Sequence, residues 1–315
     1  HRDLHLSIRR QRQMCIRDRS YPNLTVIIAC LFWGTYWIPL RYIDNGNNAS
    51  VWPLFLSFLL LALILLKPLI KSITEIFIKK NYFFLFGCFF AALGISLYSE
   101  SLLRGEIAKV VVLFYLCPIW GTIFARFILN HPFTLKRIIS IILGIIGLEI
   151  IVGFDKGIIF PSTTVEWIAL LAGLMWAMSM TLFNLANTTS GVEKTSLTAF
   201  LIPFIYLFLC FIPGGRNLAI SENLLSIHSI YIWMILFAII WLLPSILLTY
   251  FSVEVLDPGR INILLAFEVA VGFFSAALLT NEIISLREYI GAIFVVLACF
   301  VDVVSFRKFN VYFSK

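Results

Sequence analysis

Apolar runs long enough to cross a lipid bilayer recur along this chain, and their spacing leaves room for little else. A membrane helix needs about 20 predominantly apolar residues to cross roughly 30 Å of hydrocarbon. Such stretches are read at 21–40, 51–66, 82–98, 107–129, 138–152, 165–185, 195–212, 230–251, 261–280 and 289–306. Composition agrees: of 315 residues 61% are hydrophobic and 13% charged, with a mean hydropathy of +0.97, whereas a soluble domain is about one quarter charged. So little charge cannot coat a water-facing surface. The expected fold is an all-α integral membrane protein of ten transmembrane helices joined by short connections, with no extramembrane domain.

The connections carry their own stop signals. Asn130-His131-Pro132 ends the fourth run, because Asn tolerates a left-handed cap and Pro cannot continue a helix. Ile212-Pro213-Gly214-Gly215 ends the seventh in the same way, and Asp257-Pro258-Gly259 separates the eighth from the ninth.

The net charge of +7 is unevenly placed. Residues 1–20 hold six basic and two acidic residues, and the run Arg12-Gln13-Met14-Cys15-Ile16-Arg17-Asp18 resembles translated adapter sequence. That segment is therefore set aside as a disordered leader foreign to the fold. The rival reading, a basic arm or targeting peptide, lacks an apolar stretch or a small-residue cleavage site. The remaining 18 basic residues matter by position. Twelve of them (Lys67, Lys71, Lys79, Lys80, Arg126, Lys136, Arg137, Lys194, Arg260, Arg307, Lys308 and Lys315) fall on the side that also holds both chain ends. Six (Arg41, Arg104, Lys109, Lys156, Arg216 and Arg287) fall on the other. The excess of Lys and Arg marks the cytoplasmic side, so both termini, including a tail over 307–315, are expected there, in a multi-pass protein of the plasma (inner) membrane.

The runs also repeat. A shift of 151 positions superposes Lys109 on Arg260, Leu113 on Leu264, Gly121 on Gly272, Asn130 on Asn281 and Lys136 on Arg287. A shift of 143 places Leu31-Phe32-Trp33-Gly34 on Leu174-Met175-Trp176-Ala177. Two halves of five helices follow, 21–153 and 164–306. Five is odd, so the second half enters the membrane from the opposite side. Inverted repeats of this kind place a binding site near the bilayer midplane and let one half rock against the other.

With Leu31-Phe32-Trp33-Gly34-Thr35 opening the first half and Leu174-Met175-Trp176-Ala177 the second, residues 21–306 resemble the ten-helix, EamA-type branch of the drug/metabolite transporter superfamily. The family's Gly-Glu after the fourth and ninth helices reads Asn130-His131 and Asn281-Glu282 here, and its Glu-Pro inside those helices survives as Pro118 in one half and Glu268 in the other. The resemblance implies transport of a metabolite without naming the cargo.

Glu268 is the leading candidate for function. It lies eight residues past Arg260, about 12 Å along a helix at 1.5 Å per residue, near the bilayer centre, where an unpaired charge costs several kcal/mol and rarely faces lipid. It reads as a proton-coupling carboxyl or a ligand for a substrate amine, against the alternative of a protonated carboxyl bonding a neighbouring helix. Trp33 and Trp176, repeat-related and deep in their helices, are expected with Tyr36 and Tyr115 to line a substrate cavity, where rings stack on a substrate or hold an ammonium; packing between helices is the alternative. Tyr98 and Tyr250, nearer helix ends, read as interfacial belt. Glu100 and Arg104, with Glu106 and Lys109, read either as a gate of ion pairs or as a solvated turn. Glu149 and Asp302 read as interface anchors. Gly173 with Ala177, and Gly272 with Ala276, are small-residue pairs for close packing, within the chain or in a homodimer. Cys30, Cys88, Cys117, Cys210 and Cys299 are isolated, so no metal, cofactor or disulfide is expected.

The expected function is secondary transport of a small polar or amphipathic metabolite, amino-acid-like by preference, through alternating access, driven by the substrate gradient or by protons. No P-loop occurs, which excludes ATP coupling within the chain. Partners are the substrate and the bilayer, not nucleic acid. The competing readings are an integral-membrane enzyme, which would need a constellation such as Ser with His, and a non-transporting sensor, which would need a signalling domain.

Overall fold

The computed structural model describes residues 23–44, 49–130, 135–152, 161, 163–186, 188–212, 214–220, 228–254, 256, 261, 264–265, 267–279 and 285–303. Among them the fold is all-helical, apart from one isolated bridge between Ser50 and Asn217. The first half contains α1 (Asn23–Asp44), α2 (Trp52–Ile64), α3 (Leu66–Lys79), α4 (Tyr82–Arg104), α5 (Lys109–Ile128) and α6 (Leu135–Val152). The second contains α7 (Thr164–Leu185), α8 (Gly191–Leu209), α9 (Ser229–Val253), α10 (Phe267–Leu279) and α11 (Leu286–Val303). Six of these helices are long and apolar enough to cross a membrane, or seven if α2 and α3 form one bent span. The leader, the tail, His131, Lys156, Arg260 and Glu282 lie outside the described residues.

The second apolar run does not continue straight. Between α2 and α3 the axis turns by 83°, because Pro68 has no N–H to give to Ile64 and its ring crowds that carbonyl. Helix α3 then packs Leu69, Ser72 and Ile76 inward against α8, where Ser72 Oγ donates to the Glu193 carbonyl at 3.1 Å. The third run extends further than hydropathy suggested, to Arg104, because buried partners await the polar residues of its last turn. The seventh starts earlier, at Gly191, held by a capping box in which Ser190 and Glu193 exchange side-chain and backbone bonds. Lys194 is therefore helical and buried, not a loop cation. Asn130 ends α5 at φ 57, the left-handed cap expected of it.

Helices α4 and α7 form the most extensive contact, and glycine lets their backbones meet. A Cβ on Gly94 would lie 3.1 Å from Trp176 N and 3.2 Å from the Ala172 carbonyl. On the other side of α7, a Cβ on Gly173 would lie 2.4 Å from the Phe114 carbonyl of α5. Gly173, Ala177, Gly272 and Ala276 are all buried within the chain. Their small faces are spent on internal packing.

Two spans are broken at tyrosines. Pro39 in α1 removes the N–H that would reach Thr35, and the chain tightens there, with Tyr36 N donating to Trp33 O and Ile38 N to Thr35 O, both at 3.1 Å. Pro118 does the same in α5, where helix gives way to a turn at Tyr115 and Leu116. In α9, six π-helical residues, Phe237–Leu242, precede Pro244. Prolines and π-segments are standard sources of kinks, and here they lie beside the same central space.

Candidate functional site

Glu268 is 2% exposed, on the first turn of α10. Tyr98 of α4 donates its hydroxyl to Oε1 at 2.8 Å, and Tyr115, presented by the break in α5, donates to Oε2. Both carboxyl oxygens are thus met by phenol groups, and among the described residues no cation pairs with them. Tyr98 is not part of an interfacial belt. Position near a helix end concealed that α4 continues past it, and the only sequence signal was its aromatic polar tip.

Around this carboxyl lies a small cavity of about 10 Å³ lined by Trp33, Ile95, Tyr98, Phe114, Tyr115, Trp176, Leu265 and Glu268. Trp33 and Trp176 meet edge to face, with centroids 5.8 Å apart. Trp33 Nε1 donates to the Ser245 carbonyl at 3.1 Å and to Thr249 Oγ1 at 3.2 Å, which fixes its ring. Among the described residues Trp176 Nε1 has no hydrogen-bond partner. Tyr36 stands behind this wall rather than in it. Its ring packs on Trp33 at 5.3 Å and stacks on Tyr98 at 6.5 Å, while its hydroxyl meets Ser99 Oγ at 2.8 Å. Tyr250 is likewise fully buried and stacks on Trp176 at 6.1 Å.

The charged residues at the far end of α4 are not a solvated turn. Glu100 is 4% exposed and receives Arg216 Nε on Oε1, while Arg104 pairs with its Oε2 at 2.9 Å. Arg216, from the segment after α8, has a 1% exposed side chain that also pairs with Asp44 at the end of α1 and donates to the Ser50 carbonyl at 3.0 Å. Arg104 ties back to the Gly214 carbonyl at 2.7 Å. Burial alone would pull the Arg216 pKa down, but the facing charges of Glu100 and Asp44 outweigh it and hold the guanidinium more firmly protonated than usual. Arg216 and Asp44 gave no sign of this in sequence, since each sits beside a loop. Glu106 and Lys109 do form an exposed pair, at 2.7 Å.

On the helix that carries the cavity wall, Glu100 stands about 3 Å and Arg104 about 9 Å beyond Tyr98, at 1.5 Å per residue. The arrangement is a buried carboxyl among aromatic rings, with a cluster of ion pairs further along α4. This defines a multi-pass helical membrane protein with a polar site inside its apolar body. Residues 21–153, somewhat under half of the chain, match the model of the EamA-like transporter family. That family suggests a membrane transporter of the drug/metabolite type; its members are generally transporters rather than enzymes. A solved structure titled "Crystal structure of protein" is similar in fold, with a TM-score of 0.60 at 14% identity, over 90% of this chain and 98% of that one. No curated protein matches the chain.

Proposed function

We propose that the protein is a secondary transporter of a small polar or amphipathic metabolite, amino-acid-like in character, working by alternating access between two inverted halves. The observation that carries the reading is the placement of Glu268 in the cavity where Trp33 and Trp176 meet. An ionisable group inside a membrane protein marks a substrate or ion pathway by default, and rings around a carboxyl suit an ammonium-bearing cargo. Glu268 would bind that group or exchange a proton with it, and Tyr98 and Tyr115 would hold the carboxyl in place.

The helix contacts support ten spans in two halves. If α2 and α3 count as one span, exchanging the halves pairs α1 with α7, α2 with α8, α4 with α9, α5 with α10 and α6 with α11. The contacts α2–α8, α5–α10 and α6–α11 then map onto themselves. The α4–α7 contact maps onto α1–α9, where Trp33 bonds Ser245 and Thr249, and Thr25 meets Ser252 at 2.7 Å. In this arrangement Glu100, Arg104 and Arg216 form the outer gate. Both termini would be cytoplasmic in the inner membrane.

The test is counterflow in liposomes against a panel of labelled amino acids, amines and nucleobases, with Glu268→Gln beside the wild type. The expected result is exchange of at least one cargo by both proteins and proton-driven accumulation by the wild type alone. Accumulation retained by Glu268→Gln would remove the coupling role. Absence of exchange across the panel would overturn the transporter reading.

A further inference from the structure

Lys194 occupies a position that folding alone disfavours. It is the fourth residue of α8, its side chain is fully buried, and among the described residues its Nζ has no hydrogen-bond partner. An unpaired ammonium removed from water costs several kcal/mol, and the positive end of a helix dipole adds to that cost. The acids that act on it through space, Glu254 and Glu193, are engaged elsewhere. Glu254 accepts from Gly191 N, and Glu193 accepts from Ser190 N and pairs with Lys71. What touches the ammonium is the face of Phe183, 5.6 Å from the ring centroid.

Two buried hydroxyls lie near it: Thr198 Oγ1, one turn along the same helix face, and the Tyr250 hydroxyl of α9, which reaches toward Thr198. Phe183 packs edge to face on Tyr250 at 4.9 Å, so all these groups form one cluster. The cluster adjoins the central cavity. Tyr250 stacks on Trp176, which lines that cavity.

An ammonium with two hydroxyls offers charge-assisted and neutral donors to a single planar anion. One positive charge balances a carboxylate, whereas a phosphate dianion would need two. We infer that Lys194, Thr198 and Tyr250 receive the carboxylate of the cargo on the side of the cavity opposite the Arg216 ion pairs, an assignment that rests on the transporter reading above. A cargo that meets Glu268 through an ammonium and Lys194 through a carboxylate is a zwitterion. At each station the opposing charge is already in the protein, so neither end of the molecule crosses the apolar body uncompensated.

The test uses the purified full chain in detergent at fixed ionic strength. Glycine, leucine, phenylalanine and glutamine are each compared with the corresponding amide, which lacks the carboxylate, and the deaminated acid, which lacks the ammonium. Binding is read by tryptophan fluorescence and thermal midpoint. At least one amino acid is expected to bind tenfold or more tightly than its amide, and Lys194→Gln to abolish that ratio while Lys194→Arg keeps part of it. If Lys194→Gln does not fold, Thr198→Val, with the ammonium intact, is expected to lower the ratio severalfold. Equal binding of acid and amide by the wild type, or a ratio unchanged in the variants, overturns the anion site. Counterflow of the amino acids undiminished in Lys194→Gln vesicles would overturn it while leaving the transporter standing. Lys194-dependent carboxylate binding without counterflow of any probe would support the site and overturn the transport reading.

Discussion

Arg216 donates through Nε to Glu100 Oε1 inside one end of the helix bundle, joining the segment after α8 to the last turn of α4. Residues 116 positions apart in sequence thus form a buried ion pair with side chains 1% and 5% exposed. Removing one partner of such a pair leaves the other charge buried and uncompensated, at about 3–5 kcal/mol. Arg216→Gln should lower the thermal midpoint markedly, and the double variant with Glu100→Gln should recover much of the loss. A double variant no more stable than Arg216→Gln would count against the pair as the source of the effect.

The same pair should control access. With the pair broken, a cysteine introduced at Ser99, buried beneath Glu100, should react severalfold faster with a membrane-impermeant maleimide. Labelling at the rate seen with the pair intact would show that Arg216 does not close this end.

Each oxygen of Glu268 has one tyrosine hydroxyl. Deleting one donor from a buried acceptor costs about 1–3 kcal/mol. Tyr115→Phe and Tyr98→Phe should each weaken cargo binding by roughly tenfold, 1.4 kcal/mol being a factor of ten, whereas Tyr36→Phe, whose hydroxyl meets Ser99 instead, should change binding little. Equal effects from all three would show that the hydroxyls act only through packing.

Close packing of α5 on α7 gives a paired test at two glycines. Gly173→Ala would place a methyl 2.4 Å from the Phe114 carbonyl, while at Gly272 the nearest atom to a new Cβ is Val111 Cγ2 at 3.7 Å. Overpacking typically costs about 1–3 kcal/mol. Gly173→Ala should therefore lower the thermal midpoint and Gly272→Ala should leave it within error.

Pro118 presents Tyr115 by interrupting α5. Pro118→Ala restores the missing N–H and allows a continuous helix, which would swing Tyr115 away from Glu268. Counterflow should fall by about tenfold, the worth of one hydrogen bond to a charged or buried carboxyl. Full activity would mean that the break is held by tertiary packing alone.

Local properties of the chain were enough to indicate a membrane setting, its helical class and the positions of the six or seven helices long and apolar enough to span. Hydropathy is summed over neighbours in sequence, and a bilayer demands that each span satisfy its own backbone. An acid deep in an apolar run, as at Glu268, and paired tryptophans at Trp33 and Trp176 were legible for the same reason: their oddity is visible against their immediate surroundings. What each side chain meets was not. The 83° turn after α2, the extension of α4 to Arg104, the bonds from Tyr98 and Tyr115 to Glu268, the Arg216 ion pairs and the burial of Lys194 all depend on groups brought together from distant positions. A charge beside a loop is stable in water without a partner, so its sequence context is ordinary whether or not a partner exists. Only the packing of α4, α7, α8 and α9 decided which charges left water, and therefore which had to be paired.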